Sequence, residues 1–178
     1  MLHAYRGLSA QRGFSMLELA VVVGIIAVLV TVAIDRLLQI RMEAERASVA
    51  PTVGALRAAL GIEMARRVLR EGVGSVAQLE GENPMLLLAQ QPPNYRGEVE
   101  DIVNQDIGPG DWYFDKGTKT LKYLVQFTER FQSDSTEPNV AAYKVILRFQ
   151  DINRNGRYDS ATDAIQGLDI EPSGDFKW

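Results

Sequence analysis

The chain has 178 residues, 24% of them charged, with a net charge of −4 and no cysteine. That length leaves room for one modest soluble domain beside a membrane segment. The lack of a long basic run points away from nucleic acid as a partner. Without thiols, neither a disulfide nor a cysteine nucleophile is available.

Residues 1–13 carry Arg6 and Arg12 and no acid. Basic residues stay cytoplasmic, so the remainder of the chain is directed to the other side of a membrane. Phe14 to Ile34 then read FSMLELAVVVGIIAVLVTVAI, almost unbroken apolar sequence. As a helix this run is about 31 Å long, close to the roughly 30 Å hydrocarbon core of a bilayer, and it predicts a membrane-spanning helix. Glu18 is its one acid, and a carboxylate there costs on the order of 3 kcal/mol unless partnered. Its partner has to come from outside its own helix. An ordinary secretory signal is cut behind the apolar run, where Thr31-Val32-Ala33 makes a poor small-x-small site. A cut at Gly13-Phe14 instead leaves the helix on the mature chain.

The sequence RGFSMLELAVVVGIIAVL resembles the N-terminus of type IV pilin-like proteins, including the pseudopilins of type II secretion. The resemblance covers only about the first quarter of the chain. It implies cleavage after Gly13 by a prepilin peptidase, N-methylation of Phe14, and Glu18 as the acid that guides assembly. It also implies an inner-membrane protein with a periplasmic domain, bound for a pilus or pseudopilus, with other pilin or pseudopilin subunits as partners. The physics agrees: the new amine on Phe14 can reach a neighbour's Glu18 in a helical stack, and a buried carboxylate is tolerable when paired. The residues alone also allow a plain signal anchor whose glutamate snorkels to the interface. Many major pilins carry a proline within the span and a C-terminal disulfide; this chain has neither.

Beyond the span, residues 35–70 read as an amphipathic continuation of the helix. Val49, Val53, Leu56, Leu60, Met64 and Val68 recur at spacings of three and four, while Arg41, Glu45, Arg57 and Arg66 fall largely off that stripe. Pro51 and Gly54 predict a kink or break. Residues 71–110 form a variable connecting segment, punctuated by Gly72, Gly74, Gly81 and Pro92-Pro93. Within it, Asn83-Pro84 reads as the cap and first turn of a short helix. Residues 111–178 carry an antiparallel sheet and a C-terminal loop. Its strands are Trp112-Tyr113-Phe114, half-buried Leu121 to Phe127, and Ala142 to Gln150. The predicted fold is α+β, a long N-terminal helix packed on a small antiparallel sheet, pilin-like.

Asp151, Asn153, Asn155, Gly156, Arg157 and Asp159, followed by Asp163, place oxygen ligands as in the first half of a calcium loop. The Arg157 contribution would be its backbone carbonyl, and the closing acid is one residue late, since Thr162 holds the twelfth place. A structural Ca2+ would tie down this loop in a chain without disulfides. The alternative is a strand-end loop in which Asp and Asn bond their own backbone. Catalysis is not indicated: the one histidine, His3, lies in the leader, no Gly-rich phosphate cradle follows a strand, and Asp101 and Asp106 are loop acids without a visible partner. Two readings of function follow. One is a structural subunit, a minor pilin or pseudopilin; the other is a signal-anchored, non-assembling periplasmic binding domain stabilised by calcium.

Overall fold

The computed structural model describes residues 14–100, 106–134 and 137–178. The leader with Gly13 and His3, and Asp101 in the connecting segment, lie outside them. The chain divides between Ile40 and Arg41 into an N-terminal unit and a larger C-terminal one. One helix, α1 (Met16–Glu71), runs through both. In the first unit it is apolar and exposed throughout the predicted span, and it is long and apolar enough to cross a membrane.

In the second unit α1 turns the predicted stripe inward. Val49, Val53, Leu56 and Leu60 are buried, while Met64 and Val68 are half-buried. The predicted break at Pro51 is absent, and α1 is continuous through it. Proline removes the bond to the carbonyl one turn back, that of Ala47. Ala47 is exposed, so water can take that carbonyl and the helix continues.

The buried stripe joins Met85, Trp112, Leu121, Tyr123, Tyr143 and Ile170 in one hydrophobic cluster. The sheet has five strands in the order β1-β2-β3-β5-β6. They are β1 (Tyr95–Val99), β2 (Trp112–Asp115), β3 (Thr120–Leu124), β5 (Val140–Gln150) and β6 (Ala164–Pro172). Two short strands, β4 (Gln132–Ser133) and β7 (Phe176–Lys177), form a separate pair. The predicted hairpin is β2-β3, registered Phe114 to Leu121, and β5 pairs antiparallel with β3 and β6.

The expected three strands are therefore too few. β1 lies inside the expected connection and pairs parallel with β2, and β6 occupies much of the expected C-terminal loop. The short helix opens as predicted, with the Asn83 side chain accepting from the Met85 amide at 3.0 Å, but it is a 3-10 turn over Pro84–Leu87. Beyond the start of β3, the remaining edge of β5 takes the Gly81 amide on the Val145 carbonyl at 3.0 Å and a Glu80 carboxylate on the Leu147 amide at 3.3 Å. Gly81 needs to be glycine there: its φ is +69°, and a Cβ would sit 3.1 Å from the Lys119 side chain.

The C-terminal residues close the fold with rings. Trp178 lies 5.2 Å from Phe131 and Phe176 5.5 Å from Tyr143, both edge to face. Such pairs contribute roughly 0.5–1.5 kcal/mol each beyond their buried area.

Candidate functional site

The N-terminal site is built on the first turn of α1. Phe14 is exposed and, with Ser15, precedes the helix. The Ser15 hydroxyl accepts the Glu18 amide at 3.1 Å, and the Leu19 amide donates to the Ser15 carbonyl at 3.1 Å. Ser15 is thus the N-cap, with an acid at the third helical position as in an S-x-x-E box. Glu18 stands exposed in the first turn, where a negative charge suits the helix dipole. The S-x-x-E spacing was available in the sequence as a signal for Ser15.

Past Arg41, α1 carries a second apolar stripe. Ala44, Ala47, Pro51, Ala55, Ala58, Ile62, Ala65 and Leu69 recur at three and four residues and are all exposed. Pro51, Ala55, Ala58 and Ile62 each lie two positions after a buried core residue, roughly 200° around the helix, so this stripe faces away from the core. Small residues let a second helix approach closely. Beside it, α1 and residues 86–89 flank an open groove of about 670 Å³, with Ile62 and Leu86 exposed at its lips and Arg66 and Arg67 both bonded to Glu63.

Glu45, expected to lie off the stripe, is buried at 6% exposure. It stands one turn before Val49, which places it on the stripe. One oxygen accepts the Tyr123 hydroxyl at 2.9 Å and the Gln126 amide at 2.6 Å; the other accepts the Phe127 amide at 2.9 Å. The carboxylate thus caps the backbone where β3 ends. Arg41 lies 5.9 Å above the Phe127 ring beside it. A charged residue reads as solvent-facing from composition, and only the i, i+4 relation to Val49 marks it otherwise.

The 151–163 loop bends back on itself. Asp151 accepts the Asn155 amide at 3.2 Å and the Gly156 amide at 2.7 Å. Asn153 accepts the Asn155 amide at 3.0 Å, and Asn155 accepts the Arg157 amide at 2.8 Å. Asp163, buried, accepts the Ile152 amide at 3.0 Å and the Asp159 amide at 2.9 Å, so it does close the loop. Asp159 accepts the Ala161 amide at 3.0 Å. Gly156 sits at φ +74°, as the turn requires. Among the described residues no group of three or more His, Cys, Asp or Glu is gathered to hold a metal. The donor set is nonetheless all oxygen, the ligand type calcium takes, although one Asp163 oxygen accepts the Thr162 hydroxyl at 3.3 Å as well as the Ile152 amide.

These features define a class: a protein with a long apolar N-terminal helix ahead of an α+β domain with a mostly antiparallel sheet. Residues 8–34 match the family described as the prokaryotic N-terminal methylation motif. That motif, together with the long apolar N-terminal helix, is consistent with a type IV pilin-like prepilin. No curated protein and no solved structure matches the chain.

Proposed function

We propose that this chain is a structural subunit, a minor pilin or pseudopilin, of a type IV pilus or type II secretion pseudopilus. A prepilin peptidase cuts after Gly13, Phe14 is N-methylated, and the helix anchors the protein in the inner membrane with its domain on the periplasmic side. Other pilin or pseudopilin subunits then pack against the helix. The observation that carries this reading is the methylation motif lying over an exposed apolar helix. The outward Ala-rich stripe supports it, since a second helix would cover that surface. The motif suggests a structural rather than a catalytic role.

Because the chain lacks cysteine, one introduced thiol is an unambiguous probe. Ala58→Cys on the outward stripe is expected to cross-link to a subunit bearing its own introduced cysteine on oxidation in cells, and the product should vanish when Glu18→Ala is added. Equal cross-linking with Glu18→Ala would remove the pairing role of that acid. No product at any stripe position, with Ala47 and Ala65 also tried, would favour the non-assembling anchored domain.

We further propose that the 151–163 loop takes a structural Ca2+ through Asp151, Asn153, Asn155, Asp159, Asp163 and the Arg157 carbonyl. Support comes from the alternating oxygen donors and the turn at Gly156. At a hundredfold excess over its dissociation constant, a ligand stabilises by about 2.7 kcal/mol. Calcium should therefore raise the melting temperature of the full chain in detergent by several degrees over chelator, and Asp151→Ala should abolish the rise. An identical melting temperature in Ca2+ and in chelator would leave the loop held by its backbone bonds alone.

A further inference from the structure

We propose that Asn155 is a self-modification site: the Gly156 nitrogen displaces its side-chain amide, and Asp151 holds this reaction back while the loop is closed.

Asn155-Gly156 is the one Asn-Gly pair in the chain, and both residues are exposed. Glycine has no side chain to shield its nitrogen, and its backbone reaches conformations closed to other residues. The Gly156 nitrogen forms a bond to Asn155 Cγ, closing a five-membered imide, and its proton passes to water. The Cγ–Nδ2 bond breaks, and Nδ2 takes up a proton and leaves as ammonia. Water then opens the imide at one of its two carbonyls. Opening at Cγ leaves aspartate at 155. Opening at the backbone carbonyl leaves isoaspartate, with one extra carbon in the main chain.

The closed loop opposes the first step. Asp151 accepts the Gly156 amide at 2.7 Å and the Asn155 amide at 3.2 Å, so one carboxylate grips the backbone on both sides of the Asn155 side chain. A charged acceptor makes such bonds roughly twice as strong as neutral ones. Asn155 Oδ1 accepts the Arg157 amide at 2.8 Å, which fixes the side chain as well. Ring closure rotates Asn155 about its side-chain and backbone bonds, so these contacts are released first. The reaction therefore runs from the opened loop, at a rate set by the fraction open. Opening is within reach, because residues 152–157 are exposed and water takes up the released amides. Arg154 also sits at φ +59°, a conformation that a residue with a Cβ adopts at a cost. Buried Asp163, bonded to the Ile152 and Asp159 amides, holds the base of the loop meanwhile. The two products differ in effect. Aspartate keeps an acceptor for the Arg157 amide and adds a charge beside Asp151 and Asp159. Isoaspartate lengthens the chain just before Gly156, whose φ of +74° makes the turn, and the loop no longer closes.

The test incubates the full chain in detergent at mildly alkaline pH with chelator. Mass spectrometry of the peptide spanning residue 155 follows the change from amide to acid. Wild type unfolded in guanidinium gives the unrestrained rate. Folded wild type is expected to convert about tenfold more slowly, the scale of one bond to a charged group, and Asp151→Ala to lose most of that protection. Asp151→Ser, which keeps one neutral acceptor, should fall between. Hydrogen exchange of the β5 amides, read in parallel, separates loop opening from loss of the sheet. Equal rates in folded and unfolded wild type would overturn the restraint. So would an Asp151→Ala rate at or below that of wild type, the carboxylate then being idle or acting as a base. No conversion of the unfolded chain would overturn the site itself.

Discussion

Replacing Glu45 with alanine is expected to destabilise the C-terminal unit by about 3 kcal/mol, more than any exposed charge on α1. The carboxylate receives three hydrogen bonds, and bonds to a charged group are worth roughly 1.5–3 kcal/mol each before non-additivity. Gln126 is exposed and Phe127 half-buried, so water recovers part of two of them. The Tyr123 hydroxyl is worse placed, because Tyr123 is 4% exposed and its ring packs 4.9 Å from Trp112. Such a loss lowers the melting temperature by roughly 6–12 °C for a domain of this size. Thermal unfolding of the full chain in detergent, followed by circular dichroism, measures it. Glu45→Gln keeps one acceptor and should fall between wild type and alanine. A shift under 2 °C for Glu45→Ala would show that the Glu45 bonds contribute little to holding the helix to the sheet.

Lys122 is the second residue whose loss should be severe. It lies on β3, 6% exposed, with its ammonium 2.8 Å from Asp115 and 2.8 Å from Glu137. In a half-buried strand Lys122, one step from Leu121 and Tyr123, falls on the solvent face, but this face of the sheet is covered too. Tyr113, its cross-strand neighbour, is buried enough to have its phenol pushed up to about 12. Burial alone would lower the Lys122 pKa, but hydrogen bonds to Asp115 and Glu137 outweigh it and hold the ammonium above its ordinary value. Burial alone would raise Asp115; the bonds from Lys122 and Thr118 outweigh it and hold that carboxyl below its ordinary value.

Removing one partner of a buried pair costs roughly 3–5 kcal/mol, and solvent access to Glu137 reduces this to about 2–3 kcal/mol for Lys122→Met. Adding Asp115→Asn should recover part of the loss, since asparagine can still accept the Gly117 and Thr118 amides that bond Asp115 at 2.8 and 3.1 Å. The pH dependence follows from the signs. A carboxyl with a lowered folded pKa contributes above its ordinary value, near 3.8, and loses that contribution as pH falls through its lowered one. An ammonium with a raised pKa contributes fully below its ordinary value, near 10.5, and loses that as pH rises through its raised one. The gap between wild type and Lys122→Met should be flat between those limits and shrink on both sides. Additive single and double substitutions, or a gap that widens in acid, would contradict the pairing.

Much of the architecture was legible because periodicity carried it. The span, the stripe from Val49 to Leu60, the hairpin of β2 and β3, and most of β5 all show their faces in residue spacing. β1 did not, because Gly97 interrupts a short run behind Pro92-Pro93 and its pairing is parallel, across a connection that no local pattern reports. β6 was hidden by Gly167 and the irregular register beside Phe149, which breaks the two-residue alternation of Ile165, Leu168 and Ile170. Glu45 and Lys122 were misplaced for one reason, a charge read as exposed: the partners of Glu45 lie far along the chain at Tyr123, Gln126 and Phe127, and those of Lys122 are Asp115 across the hairpin and Glu137 beyond β3. Pro51 was read as a break because the sequence does not show that the freed carbonyl faces water. At the N-terminus, residue types at fixed spacing carried both the motif match over residues 8–34 and the apolar helix behind Ser15.

Whether the first thirteen residues are removed decides the account. Intact mass and N-terminal peptide spectra of the protein purified from membranes of its native host are predicted to begin at Phe14, with one methyl group on its amine. A mature chain beginning at Met1, or cut behind Ala33, would contradict it.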